Sequence, residues 1–242
     1  MPDLVAIGEI MLDVEAPPLV DGAAVHGAVR VRAGGTAVNA ALAARAIGAS
    51  AAVVGRIGAD AAGRIVREEL AAAGVEAWLV EDPALPTGTF LEAGEAVAAD
   101  RGASGALAPG DLPERIEAGV VIVSVYAPEP VARAAVRQAE AEWVLGPCGN
   151  AYVGPERPTN GYRLVCVTAG PEGATAWLDG AEEHRRPDER VPGRATGAGD
   201  ALAAGLLLGL GRGLPLGDAL ELGCELGLAA ARRRDRTLGP RP

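Results

Sequence analysis

The stretch Arg194-Ala195-Thr196-Gly197-Ala198-Gly199-Asp200-Ala201-Leu202-Ala203-Ala204-Gly205-Leu206-Leu207-Leu208 sets two glycines and one carboxylate at the start of an otherwise apolar helical run. An ordinary buried helix has no need of a carboxylate there. Glycines at 197 and 199 let unpaired backbone N–H groups converge on one concavity, where the helix dipole also favours negative charge. Gly197, Ala198 and Gly199 therefore form a candidate anion hole. Asp200 falls in the first helical turn, where the dipole is expected to keep it ionised and able to accept a proton from a hydroxyl brought beside it. An anion hole next to a carboxylate base is what phosphoryl transfer to an alcohol requires. Read locally, a Thr196 cap followed by a favourable first-turn acid explains the same residues.

Outward from this turn the chain alternates strands with helices. Leu4 to Gly8 reads as a buried strand, Asp13 as part of the turn after it, and Val25 to Val31 as a second, partly exposed strand. A helix is expected from Thr36 to Ile47, ended by Gly48, then a strand at Ala51–Val54, a helix from Asp60 to Ala73 closed by Gly74, and a strand at Ala77–Val80. Thr89–Ala93 and Ala96–Ala99 read as short edge strands of a flap. The alternation resumes with strand Val120–Val125, helix Pro130–Glu140 and strand Trp143–Leu145, followed by a Pro- and Gly-rich connection to Asn160. Strands Leu164–Thr168 and Ala174–Leu178 precede helices Ala198–Leu210 and Leu216–Arg233. Such alternation predicts a mostly parallel sheet covered on both faces, with ligands beyond the carboxyl ends of its strands.

Composition narrows the function. Of 242 residues 49% are hydrophobic but only 3% aromatic, so the core is built from Ala, Val and Leu, which suits layered α/β packing in a single domain, residues 1–242. A net charge of −10 argues against nucleic acid as a partner. The basic run Arg232-Arg233-Arg234-Asp235-Arg236 reads as a solvated helix end. All 22 basic residues are Arg, which excludes the phosphate loop that ends in Gly-Lys-Ser/Thr. No Gly-x-Ser-x-Gly element is present, which disfavours hydrolases of that kind. Cys148, Cys166 and Cys224 are read as buried free thiols, and His26 and His184 as surface residues. The amino-terminal residues lack a basic flank and a long apolar run, and Ala201–Leu210 falls short of the roughly 18 residues that span a bilayer. No membrane partner and a cytoplasmic location are expected.

A second motif supports the first. In Ala33-Gly34-Gly35-Thr36-Ala37-Val38-Asn39-Ala40-Ala41, paired glycines precede a helix and let a polar ligand lie against backbone, while the Asn39 amide can both donate and accept. A tight turn with a solvent-facing Asn fits the same residues equally well. Gly34-Gly35-x-x-x-Asn39, Gly58-x-Asp60-x-x-Gly63, Thr168-x-Gly170-x-x-Gly173 and Thr196-Gly197-Ala198-Gly199-Asp200, in that order, resemble the ribokinase or PfkB family of carbohydrate kinases.

The resemblance implies a ribokinase-like three-layer α/β/α sandwich with a mostly parallel central sheet and a small β lid, from segments near 14–33 and 86–102. It implies ATP and Mg²⁺ as cofactors, a small sugar or nucleoside as partner, and a homodimer through the lid. By position, Asp200 matches the catalytic base, and Gly197, Ala198 and Gly199 the anion hole. Asp13, Gly34, Gly35 and Asn39 match the residues that bind the acceptor, and Thr168, Gly170, Gly173 and Thr196 those near the nucleotide. No metal ligand is assigned. A nucleoside kinase and a catalytically weakened binding module of the same fold are the alternatives.

The sequence departs from the family pattern in three ways. Arg194 and Ala195 stand where an Asp usually opens the last motif, which puts monovalent-cation dependence in doubt. No Asn-x-x-Glu element supports magnesium: Asn150 leads to Val153 and Asn160 to Arg163, Glu156 being the substitute nearest to hand, and the segment Gly146–Tyr162 reads as shortened. Cys224 stands where an Asn often lies near the adenine. With no Lys to grip a phosphorylated sugar, an unphosphorylated acceptor is expected unless Arg30, Arg32 or Arg101 takes that part.

Overall fold

The computed structural model describes residues 1–159, 161–191 and 196–237, with side chains described as far as Arg232. Expectations for Asn160, Arg194, Ala195 and the side chains of Arg233–Arg236 lie outside the described residues. The amino-terminal elements are β1 (Leu4–Ile7), β2 (Met11–Ala16), β3 (Arg30–Gly34), α1 (Thr36–Ala46), β4 (Ala51–Gly58), α2 (Ala61–Ala72), β5 (Glu76–Asp82), β6 (Thr87–Ala93) and β7 (Ala96–Gly102). Next come β8 (Ile116–Glu117), β9 (Val120–Val123), α3 (Glu129–Gln138), β10 (Ala139–Glu140), β11 (Trp143–Leu145) and β12 (Ala151–Gly154). The rest are β13 (Leu164–Thr168), β14 (Ala174–Leu178), β15 (Ala181–Arg185), α4 (Ala198–Gly211) and α5 (Leu216–Thr237).

Nine strands form one sheet in the order β15-β14-β13-β12-β11-β9-β1-β4-β5. It is parallel from β5 to β13; only β14 and β15 run antiparallel. Strand β1, Leu-Val-Ala-Ile and wholly buried, is the continuous apolar run of a strand covered on both faces. Its neighbours are β4 on one side and β9 on the other, so the strand order reverses at β1 and a crevice opens beyond its carboxyl end. A second sheet, β3-β2-β6-β7, stands over that end, where the flap is expected.

One face of the large sheet packs on α1, α2, α4 and α5 in a single cluster. The alanines of α1 (37, 40, 41, 43 and 44) let that helix lie close to the sheet. Helix α4 is buried on all sides from Ala201 to Leu210, as an all-round apolar helix must be. Its fully buried Leu206 and Leu207 contribute about 1.5–3 kcal/mol each. The other face is covered by α3 and the segment 103–118 over β1, β4, β9 and β11, with Trp78 of β5 at the margin. Gly146–Asn150 joins β11 to β12, and residues 155–163 join β12 to β13, without a helix among the described residues, although parallel neighbours normally need a dozen or more residues to cross over. Over that half Tyr152, Val165, Val167 and Trp177 are therefore only half-buried.

Several expectations change. Asp13 lies within β2, not in a turn, because Met11–Glu15 pairs with Arg30–Gly34. That pairing also moves the second strand from Val25–Val31 to Arg30–Gly34, since Pro17, Pro18, Gly22 and Gly27 break the chain before it. Strands β8, β12 and β15 form where none is expected, and the helix expected over Pro130–Glu140 stops at Gln138, its last two residues pairing as β10 with β8. Cys148 is exposed in a turn at φ 70°, while Cys166 and Cys224 are buried. No helix among the described residues is long and apolar enough to cross a membrane.

Candidate active site

The carboxyl ends of β1 and β9 supply the floor of the crevice. Glu9, just after β1, is 6% exposed; its Oε2 accepts from the Ser124 hydroxyl at 2.7 Å and its Oε1 from Arg101 Nη2 at 3.0 Å. Arg101 reaches down from β7, so this ion pair ties the small sheet to the large one; it also donates to the Tyr126 carbonyl. Asp13, 3% exposed, points in from β2 and meets Arg32 Nη2 at 3.4 Å, a guanidinium shared with Glu15 at 2.9 Å. Gly34 explains why Asp13 fits. A Cβ at 34 would stand 2.1 Å from the Asp13 carboxyl carbon, so only glycine leaves that carboxylate its place.

The wall opposite is built by α1 and α4. Gly197 precedes α4 in the left-handed region at φ 84°, a conformation that favours glycine, and no side chain caps the helix. Thr196 is thus not its cap; its hydroxyl donates instead to Glu92 of β6 at 3.3 Å. Asp200, in the first turn of α4, accepts from Asn39 Nδ2 of α1 at 3.0 Å, which joins the two glycine motifs across 161 positions of chain. Asp200 is half-buried, and its carboxyl is pushed up to about 6. Burial is the main cause, the Asn39 hydrogen bond opposes it, and the Glu9 and Asp13 carboxylates add to it. Loss of water thus outweighs the helix dipole expected to hold this acid fully ionised.

Two concavities meet at this turn. A cavity of about 580 Å³ is lined by Glu9, Asp13, Gly35, Asn39, Gly197, Gly199 and Asp200, with Arg101 and Thr196 at its edge. A groove of about 250 Å³ on the other side is lined by Thr168, Gly170, Gly173, Ala198, Gly199, Leu202 and Cys224. Gly199 belongs to both, and the position its Cβ would occupy faces open space. Of the residues assigned to the acceptor, Asp13, Gly35 and Asn39 face the cavity and Gly34 stands behind Asp13. Of those assigned to the nucleotide, Thr168, Gly170 and Gly173 line the groove, whereas Thr196 lines the cavity.

The model of the pfkB family of carbohydrate kinases matches residues 1–141 and 138–240. The chain belongs to the pfkB family. No curated protein matches it. Among solved structures, a probable sugar kinase from Rhizobium etli CFN 42 is 19% identical over 93% of this chain and 92% of that one, at a TM-score of 0.77. Adenosine kinase from Sinorhizobium meliloti is 18% identical over 98% and 99%, at 0.75. The Arabidopsis thaliana ribokinase complexed with ribose and ATP is 20% identical over 95% and 91%, at 0.72. Identities this low establish the ribokinase-like α/β fold, and the fold alone.

In this pfkB chain, the cavity residues that sequence reasoning passes over include Glu9, Phe90 and Tyr126. Glu9 follows a wholly apolar strand, and an acid just past the carboxyl end of a central parallel strand is a readable signal. Phe90, the only Phe in 242 residues, is another. Gly58-x-Asp60-x-x-Gly63, by contrast, is scaffold. Burial pulls the Asp60 carboxyl up, but its bonds from Gly63 N, Thr87 Oγ1 and Thr87 N outweigh that and hold it below the usual range, capping α2 and pinning the start of β6.

Proposed function

We propose that the protein transfers the γ-phosphoryl group of Mg·ATP to a hydroxyl of a small sugar or nucleoside. One observation carries this reading: Asp200 faces a cavity rimmed by hydrogen-bonding side chains, and the amides beside it open onto a second groove through Gly199. A binding module needs no base at that junction.

The chain's own residues divide the work. Asp13 and Asn39 hold acceptor hydroxyls, and the small sheet, tied down by Arg101, screens them from water. Asp200 accepts the proton of the attacking hydroxyl; a carboxyl near 6 is ionised at neutral pH and still basic enough to take it. The backbone amides of Gly197, Ala198 and Gly199, at the positive end of α4, stabilise negative charge that builds on the group in transit. Bound Mg·ATP supplies that group. The groove fits a nucleotide: its walls are Leu202, Leu228 and other apolar residues, and it ends at an amide turn with room for an anion. Among the described residues no cluster of three or more His, Cys, Asp or Glu is placed to hold a metal ion, so the ion is expected to arrive with the triphosphate. Phe90 and Tyr126 on the cavity wall are aromatic faces on which a base could stack, which keeps a nucleoside acceptor in view.

The test is acceptor-dependent ADP release with Mg·ATP and a panel of sugars and nucleosides. Asp200→Asn should lower kcat by about 10²–10⁴ with little change in acceptor KM. Acceptor binding without ADP release from the native chain would leave a binding module.

A further inference from the structure

We propose that the acceptor is uncharged, and that the Glu9–Arg101 pair is the device that turns phosphorylated and carboxylated sugars away. This rests on the cavity being the acceptor site. Three carboxylates, Glu9, Asp13 and Asp200, line it against one guanidinium among the described residues, Arg101. An anionic acceptor would need that guanidinium, whose charge Glu9 already balances, its Oε1 taking Arg101 Nη2 at 3.0 Å, while the same nitrogen donates to the Tyr126 carbonyl. Arg32, the next cation, is held by Asp13 and Glu15. Arg30, at the far end of β3, pairs opposite Glu15 in the small sheet and does not line the cavity.

The contrary attraction comes from helix ends. Both α1 and α4 begin at the cavity, and their amino-terminal amides favour negative charge. Asp200 and Asp13 stand at those ends already, so the dipoles are answered by the protein's own acids. A phosphate entering the cavity would bring about two negative charges beside carboxylates it cannot displace. A hydroxyl brings none, and finds acceptors in Asp13 and Asp200 and an amide in Asn39. Glu9 accepts from both its neighbours and is 6% exposed, so it is a fixed part of the floor. It is a positioning residue: it acts by neutralising Arg101.

Calorimetric titration of the native chain without nucleotide tests this, using ribose against ribose 5-phosphate, fructose against fructose 6-phosphate, glucose against glucuronate, and adenosine. At least one neutral member should bind, at least about tenfold more tightly than its anionic counterpart. Equal or tighter binding of the anionic member overturns the proposal, and silence from the whole panel at millimolar concentration overturns it together with the acceptor-site reading. The two readings fail separately. Neutral binding without ADP release on adding Mg·ATP sinks the kinase and leaves this inference standing; faster turnover of a phosphorylated member does the reverse. Glu9→Gln keeps the hydrogen bond from Ser124 but frees Arg101, and should narrow the neutral-to-anionic affinity ratio by about tenfold. An unchanged ratio in that variant, with neutral binding retained, removes the role given to the pair.

Discussion

The cavity and the groove that meet at Gly199 are made of different material. The cavity is built from side chains brought together over long stretches of chain: Glu9 with Ser124 and Arg101, Asn39 with Asp200, Asp13 with Arg32. The groove is built from backbone and apolar surface, with glycines at 170, 173, 199 and 227 and, among the described residues, one charged lining residue, Glu189, which is paired with Arg232. Charge and hydrogen bonds made by side chains are what discriminate between ligands, whereas glycine amides and apolar walls accept any ligand of suitable shape. One half of the site therefore chooses the acceptor, and the other receives a donor common to many reactions. Substitutions in the cavity should have large, specific effects, and those in the groove small ones.

The sharpest way to break this contrast after Asp200→Asn itself is Gly34→Ala. The added methyl would lie 2.1 Å from the Asp13 carboxyl carbon and within 2.3 Å of both its oxygens, so the carboxylate must move. An acceptor kcat/KM lowered by about 100-fold is expected, with KM for ATP unchanged and a stability loss of about 1–3 kcal/mol from overpacking. Steady-state kinetics with each substrate varied in turn would show it. Equal losses for both substrates would mean that the two halves are not separable.

What the sequence discloses follows the same division. Local signals were legible: the glycine turn before α4, the paired glycines before α1, and the strand–helix rhythm that gives the parallel sheet. Contacts that depend on remote partners were not. The paired glycines suggest a ligand lying on backbone, yet Gly34 is required because Asp13, 21 positions earlier, fills the space its side chain would take. Asp200 shows a dipole that lowers its pKa; the burial and neighbouring acids that raise it exist only after folding. Strand β15, Ala-Glu-Glu-His-Arg, has no apolar alternation to reveal it. It forms because Asp179 and Gly180, both at positive φ, turn the chain back along β14. Three of the four glycine motifs marked the site region, because each shapes backbone locally, which residue types alone can signal; the fourth, around Asp60, is scaffold.

A smaller effect sharpens the account of the cavity. Asp200 must be ionised to accept a proton, so acceptor kcat/KM should fall about tenfold per pH unit below about 6. The same residue carries a stability sign. Its folded pKa lies above the ordinary 3.8, so its ionised form costs stability above about 6, and that cost disappears as pH falls through 6 towards 4. Asp200→Asn should therefore be more stable than the native chain at pH 7, by about 1 kcal/mol, with the gain gone near pH 4. The full shift would imply about 3 kcal/mol, but solvent reaches the side chain. Thermal unfolding at the two pH values, set beside the activity loss, reads both at once.

The smallest effect belongs to the groove. Cys224 lines it, and its position would suggest a part in reading the nucleotide. Its thiol, pushed up to about 11 chiefly by burial, carries no charge at neutral pH, and its sulfur is turned to the Arg185 carbonyl at 3.8 Å. It offers a nucleotide surface and little else. Cys224→Ala should change KM for ATP by less than about threefold and cost about 1 kcal/mol of stability for the buried sulfur. A tenfold rise in that KM, with the acceptor's unchanged, would show a side chain selecting the donor, and the contrast between a cavity that reads its ligand and a groove that merely shapes it would fail at its weakest point.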